Sequence, residues 1–243
     1  MTKLSWQQDT LTWLMQSSRR ILLLAFGAGL LLGPAPATSV PPQAPATQGS
    51  QVQPRKTSQP YTGDFSIFEY KDRDQKLQVE RVMDILGISE GKTVADVGAG
   101  SGWFSVRAAR RVAPTGLVYA VDINPEAIQY IQQRVQREGI GNVRVIHSKP
   151  DDPLLPAESI DAVLLLKTYH EVAEPIALLK NLRKALRPNA RLGIIDRNGN
   201  GEDHGVSRDV VVREAEQAGY RLVGEHDFVK SDGEDYFLVF ELR

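Results

Sequence analysis

The 243-residue sequence contains no cysteine, which excludes disulfides, thiolate zinc sites and cysteine nucleophiles. It also lacks an excess of either charge: 29 Lys and Arg stand against 30 Asp and Glu. That balance gives no electrostatic case for long nucleic acids or an anionic membrane surface as partner. No apolar run is long enough to span a bilayer as a helix. The uncharged run from Ile21 to Leu32 has about twelve residues, against the roughly 20 required. No Gly-Lys-Ser/Thr follows a glycine-rich segment, so a P-loop is missing as well. What is present is 42% apolar residues, ample for the core of one domain. No internal repeat is visible.

Residues 1–60 read differently from the rest. Arg19 and Arg20 precede the apolar run, and Ala35-Pro36-Ala37 follows it in the A-x-A pattern of a signal-peptidase site. This order predicts an export signal over 1–37, and a periplasmic destination. Uncleaved membrane anchoring by the same segment is the alternative. Ser18-Arg19-Arg20-Ile21-Leu22-Leu23 partly matches a twin-arginine signal, with Leu22 and Leu24 at the positions of the usual Phe and Lys. General secretory export stays open beside it. Residues 38–60, rich in Pro, Gln, Thr, Ser and Ala, have no apolar period and predict a disordered linker. The folded domain is expected over 61–243.

From Tyr61 onward strand and helix patterns alternate. Strands are predicted at Thr93–Val97, Leu117–Val121, Val143–His147, Ile160–Leu166 and Arg191–Asp196. A closing pair is predicted at Arg221–Lys230 and Tyr236–Leu242, around a turn at Ser231-Asp232-Gly233. Helices are predicted at Lys76–Leu86, Trp103–Val112, Pro125–Glu138, Pro175–Leu186 and Arg208–Ala218. Asn124 caps the third of these, with Pro125 in its first turn. This alternation predicts an α/β domain with a mostly parallel sheet and helices on both faces. Ligands of such sheets bind at the carboxyl ends of the strands. Gly98–Gly102, Asp122, Asp151 and His170 all fall there.

Asp96-Val97-Gly98-Ala99-Gly100-Ser101-Gly102 runs from a strand into a helix. Its glycines permit a tight turn and close approach of a ligand to the main chain. The helix that follows offers unpaired N–H groups. Trp103 stands where a dinucleotide fingerprint wants its last glycine, which disfavours a nicotinamide-dependent oxidoreductase. Asp122, 20 residues after Gly102 at the tip of the second strand, can accept from both ribose hydroxyls of an adenine nucleoside. It can also cap a helix, but Asn124 already fills that role.

At these residues the sequence resembles the class I S-adenosylmethionine-dependent methyltransferases, most closely the ubiquinone/menaquinone type. The resemblance rests on Asp96–Gly102, on Val118–Asp122, on Ser159-Ile160-Asp161-Ala162-Val163 and on Leu182–Gly193, and covers about Leu77 to Arg243. Asn189-Ala190 stands where the family has Gly-Gly. The resemblance implies a Rossmann-like fold, with a seven-stranded, mostly parallel sheet and an antiparallel closing strand. It also implies S-adenosylmethionine as cofactor. Gly98, Ala99, Gly100 and Gly102 would wrap its methionine part, with Asp96 near the ammonium. Asp122 would hold the ribose, and Ile123 and Lys167 would line the cofactor. Asp151 is preferred over Asp152 for the adenine amino group.

Methyl transfer needs alignment of nucleophile and methyl group, and often a base. His170, in Lys167-Thr168-Tyr169-His170-Glu171 after the fourth strand, is the first candidate base, with a structural role as its rival. Tyr169 would bind substrate or line the cofactor, and Lys167 can alternatively reach a carboxylate. In the polar loop Asp196–Gly205, Arg197 is a candidate clamp for an anionic substrate and His204 a second base. Asp203 and His204 are only two spaced ligands, so no metal site is expected. Phe65, Phe68 and Tyr70 either close over the substrate, with Phe68 and Tyr70 touching it, or dock their segment on the core.

The absence of cysteine excludes cytosine C5 methylation through a covalent adduct, and the N-P-P-Y signature of amino-directed DNA methylation is missing. A small-molecule acceptor is therefore expected, with no nucleic-acid partner and membrane contact only through the N-terminal segment. A non-catalytic protein that binds the same cofactor is the second hypothesis, since export separates the chain from the cytosolic supply.

Overall fold

The computed structural model describes residues 55–57, 61–200, 204–230 and 234–243. The expected export segment at 1–37, most of the linker at 38–60, Asp203 and the turn at 231–233 lie outside the described residues. Within them, no helix is long and apolar enough to cross a membrane.

Seven strands form one sheet: β1 Thr93–Val97, β2 Leu117–Asp122, β3 Val143–His147, β4 Ile160–Leu166, β5 Leu186–Arg197, β6 Tyr220–His226 and β7 Asp235–Leu242. Their spatial order is β3-β2-β1-β4-β5-β7-β6. β1 to β5 pair in parallel, and β7 runs antiparallel to both β5 and β6. The expected seven-stranded sheet with an antiparallel closing strand is present. The strand order reverses between the parallel neighbours β1 and β4, so the loops after these two strands face each other across the carboxyl edge.

β4 explains why both faces carry helices. Its apolar residues alternate between two cores. Ala162, Leu164 and Leu166 join α2 (Val79–Ile85) and α3 (Trp103–Val112) on one face. Ile160, Val163 and Leu165 join α5 (Pro175–Ala185) and α6 (Arg208–Gln217) on the other. The unbroken apolar run Ala162–Leu166, after Asp161, is what burial on both faces demands. α4 (Pro125–Arg137) opens as expected, with the Asn124 side chain accepting from Glu126 N at 2.8 Å.

The helix expected over Lys76–Leu86 is two short ones, α1 (Arg73–Leu77) and α2, broken at Gln78 in the left-handed region (φ 51°). Leu77 and Val79 are both buried. Residues two apart do not share a helix face, so the chain must reorient between them to bury both. Asn189, where the family pattern has glycine, adopts φ 66°, a conformation asparagine tolerates better than most residues.

Candidate active site

The glycine segment leaves β1 in a turn that only small residues allow. Gly98 and Ala99 both donate to Val121 O, at 2.8 and 3.0 Å, which locks the loop against β2. Gly98 has φ 76°, and a Cβ there would lie 2.2 Å from Thr168 Oγ1 on the loop after β4. Gly100, also at positive φ, donates to Asp122 Oδ2 at 2.8 Å, while Asp122 Oδ1 accepts from Asn124 N at 2.9 Å. Burial pushes the Asp122 carboxyl above its ordinary pKa, against the pull of these main-chain donors. Ile123 beside it is an exposed apolar side chain. Asp96 lies beneath the loop, buried, accepting from Ser105 Oγ at 2.6 Å. Burial raises its pKa to about 6, opposed by that hydrogen bond and by the Arg73 charge.

The segment before α1 covers this loop. Phe65 is buried and packs with Tyr61, Phe68 and Tyr130. Phe68 comes within 4.0 Å of where a Gly100 Cβ would stand. Phe65 thus docks the segment on the core, and Phe68 overlies the glycines. Buried Arg134 ties the layers together, donating to Ser101 O at 3.1 Å and pairing with Glu69 at 2.8 Å. Trp103, at the first turn of α3, is buried with the Arg73 and Arg107 guanidiniums 4.2 and 4.1 Å from its ring centroids.

These residues fit the adenosyl cofactor that the resemblance implies. A Gly100 Cβ would meet nothing nearer than Phe68, so there is room against the loop. Ser101 Oγ within it is buried without a partner. A carboxylate and an exposed aliphatic surface adjoin at Asp122 and Ile123, suited to ribose hydroxyls and an adenine face.

The loops after β4 and β5 build a second group. His170 is buried in the 3-10 turn Tyr169–Glu171, its main-chain N–H donating to Asp196 Oδ2 at 3.0 Å. Its Nδ1 lies 2.9 Å from Asp196 Oδ1. A carboxylate accepts only, so Nδ1 carries the proton and Nε2 presents its lone pair. Nε2 stands 3.8 Å from Glu171 Oε1, and the His204 ring meets the His170 ring edge-on at 5.8 Å. Burial pushes the Glu171 carboxyl up to about 7; the field of His170 opposes this, and those of Asp122 and Asp196 add to it. Asp122 thus acts electrostatically on both groups of residues.

A cavity of about 840 Å³ opens along the same edge of the sheet, lined in part by Tyr70, Arg73, Leu166, Lys167, Phe228 and Asp235. Asp235 is buried, with one oxygen ion-paired to Lys167 and the other without a partner. Asp227 to Lys230 wall this cavity instead of continuing β6, which ends at His226 rather than at the expected Lys230.

Several expectations need correction. Tyr169 does not face a ligand. It is fully buried, its hydroxyl donating to Glu214 at 2.8 Å, and burial beside that carboxylate drives its pKa well up. Lys167 does not line the cofactor but makes the carboxylate contact weighed for it, with Asp235 in the cavity wall. Arg197 pairs with Glu234 at 3.4 Å, so its guanidinium is already engaged. Asp151 is engaged through its main-chain carbonyl, which accepts from Asn181, so the expectation for its carboxylate stands, while the Asp152 carboxylate accepts from Leu154 N to shape its own turn. Arg55, inside the stretch expected to be a linker, is docked. Its guanidinium pairs with Glu214 at 3.1 Å and donates to the carbonyls of Tyr169 and Val172. Residues missed in the sequence are Asp196 as partner of His170, Glu171, Thr168, Ser105, Arg73 and Asp235. An acid directly after the apolar pair Ile194-Ile195, near the end of β5, is the signal that would have found the first.

A family profile described as "Methyltransferase domain" matches residues 88–220. The demethylmenaquinone methyltransferase of Geobacillus kaustophilus is 28% identical over 109 residues, 45% of this chain and 47% of that protein. The ubiquinone/menaquinone biosynthesis C-methyltransferase UbiE of Citrobacter koseri is 26% identical over 115 residues, 47% of this chain and 46% of that one. The chain spans about half the length of the curated relatives it matches. Among solved structures, a SAM-dependent methyltransferase from Aquifex aeolicus aligns with a TM-score of 0.68 and 27% identity, covering 74% of this chain and 97% of that one. The [4+2]-cyclase SpnF shares the fold at a TM-score of 0.58 and 13% identity, over 69% and 80% of the two chains. One fold thus hosts different reactions, and function must be argued from the site.

Proposed function

The chain belongs to the methyltransferase-domain family, and on that premise we propose that it transfers a methyl group from S-adenosylmethionine to a small-molecule acceptor. The observation that carries this reading is the Asp122 carboxylate bonded to Gly100 N at 2.8 Å, one strand over from a glycine turn with room against it. Bound there, the sulfonium supplies an activated methyl carbon for in-line displacement. The chain's own part is alignment and handling of the acceptor. Gly98, Ala99, Gly100 and Gly102 shape a main-chain surface for the amino-acid end of the donor. Asp122 takes the ribose hydroxyls and Ile123 the adenine face. Phe68 shields the loop from water.

At the acceptor end, His170, oriented by Asp196, stands with Glu171 and His204 as the groups to bind or deprotonate the nucleophile. The cavity along this sheet edge, whose lining includes none of these three residues, has aromatic walls in Tyr70 and Phe228 and cationic ones in Arg73 and Lys167. Such walls suit an aromatic acceptor with oxygen substituents, in keeping with the quinone-type names of the relatives.

Calorimetry of the chain with S-adenosylmethionine, S-adenosylhomocysteine and NAD tests the cofactor. Asp122→Ala should weaken binding of the first two by about 1–3 kcal/mol, the cost of losing charged hydrogen bonds. Unchanged affinity in that variant, or binding of NAD alone, would remove the reading. S-adenosylhomocysteine formed with a panel of phenols and quinols measures turnover.

A further inference from the structure

His170, Glu171 and His204 are, among the described residues, a set of metal-binding side chains whose ligand atoms gather within 4.8 Å of one another. Two imidazoles and one carboxylate form a donor set of intermediate softness. It suits divalent transition ions such as Zn²⁺, Mn²⁺ or Fe²⁺ rather than Ca²⁺, which takes oxygen ligands.

His170 is already arranged as a ligand. Its Nδ1 is committed to Asp196 at 2.9 Å, so the lone pair lies on Nε2, the atom 3.8 Å from Glu171 Oε1. A buried carboxylate behind an imidazole fixes its tautomer and raises its basicity, the support that ligating histidines usually have. Asp196 is itself held in place, accepting from the main-chain N–H of His170 at 3.0 Å and of Arg197 at 2.8 Å. The spacing suits the purpose. With metal–ligand bonds of about 2.0–2.2 Å, two ligand atoms on one ion stand roughly 3–4.4 Å apart. The observed spread of at most 4.8 Å lies less than an ångström beyond that range. Three protein ligands leave further positions on the ion for other donors.

We propose that His170 Nε2, Glu171 and His204 bind one divalent transition-metal ion, whose open positions take an oxygen of the acceptor. The acceptor role rests on the methyltransfer reading; the metal site rests on the geometry alone. The full chain, prepared without a histidine tag and stripped by chelator, is titrated with Zn²⁺ and, separately, Mn²⁺ by calorimetry. One equivalent of at least one ion is expected to bind, and His204→Ala and Glu171→Gln are each expected to weaken it at least tenfold. S-adenosylmethionine binding, read on the same samples, should stay within a few-fold of the parent and shows that the variants are folded. Stoichiometric binding of neither ion, or equal affinity in parent and variants, overturns the site. Metal binding without S-adenosylmethionine binding would instead overturn the acceptor role and leave the site standing.

Discussion

The glycine turn and the loops after β4 and β5 adjoin on one edge of the sheet but are built on opposite plans. The turn comes from one continuous stretch, Thr93–Asp122, and owes its shape to main chain: residues at positive φ, two N–H groups locked on Val121 O, and a single carboxylate. The His170 group draws side chains from the loops after two strands: His170 and Glu171 after β4, Asp196 and His204 at and after the end of β5. A main-chain site accepts one donor chemistry and tolerates change in the side chains around it. A side-chain site is redefined by one substitution. The contrast explains how a fold can keep its donor while its acceptors diverge.

The comparison can be broken most forcefully at Gly98. Gly98→Ala brings a Cβ to 2.2 Å from Thr168 Oγ1 at a φ that L-residues avoid. It should cost about 2–4 kcal/mol and most donor binding. Thermal melts and calorimetry would record this, and Thr168→Gly in the same chain, which also removes the Thr168 Cβ at 2.7 Å, should relieve the clash but not the backbone strain. Full donor affinity in Gly98→Ala would mean that the turn is not the donor surface.

Asp196→Asn sharpens the opposite half. It loses the acceptor that fixes the His170 tautomer, and should lower kcat about 10–100-fold while leaving S-adenosylmethionine affinity nearly unchanged. A loss confined to donor affinity would erase the distinction between the two ends. The smallest effect is a pH slope at Asp96. Its carboxyl is held at about 6, above its value in the unfolded chain. The stability it confers is therefore full below about pH 4 and is lost as pH rises through 6. Asp96→Asn has no such loss, so its melting temperature relative to the parent should improve between pH 4.5 and 8, by the equivalent of about 1–2 kcal/mol. A constant difference across that range would place Asp96 outside this account.

The same division governs what could be read in advance. The glycine turn was legible because its parts are near in sequence: a β-branched strand, three spaced glycines and an acid ending the next strand. The partnership of His170 with Asp196 spans 26 residues and two strands, and no local period announces it. Tyr169 and His170 are adjacent, yet the 3-10 turn sends one into the core toward Glu214 and the other toward Asp196. Composition placed Arg55 in a linker because it has no apolar neighbours in sequence. Its docking depends on carbonyls and a carboxylate more than 100 residues away.

Trp103 adds an optical consequence. The sequence has three tryptophans, and the other two, Trp6 and Trp13, stand far upstream. From residue 14 onward, therefore, the protein's only indole sits one residue beyond Gly102, wedged between two guanidiniums. Its fluorescence is a built-in gauge of the first turn of α3, and stopped-flow mixing with a ligand of the glycine turn could be followed in the unlabelled chain.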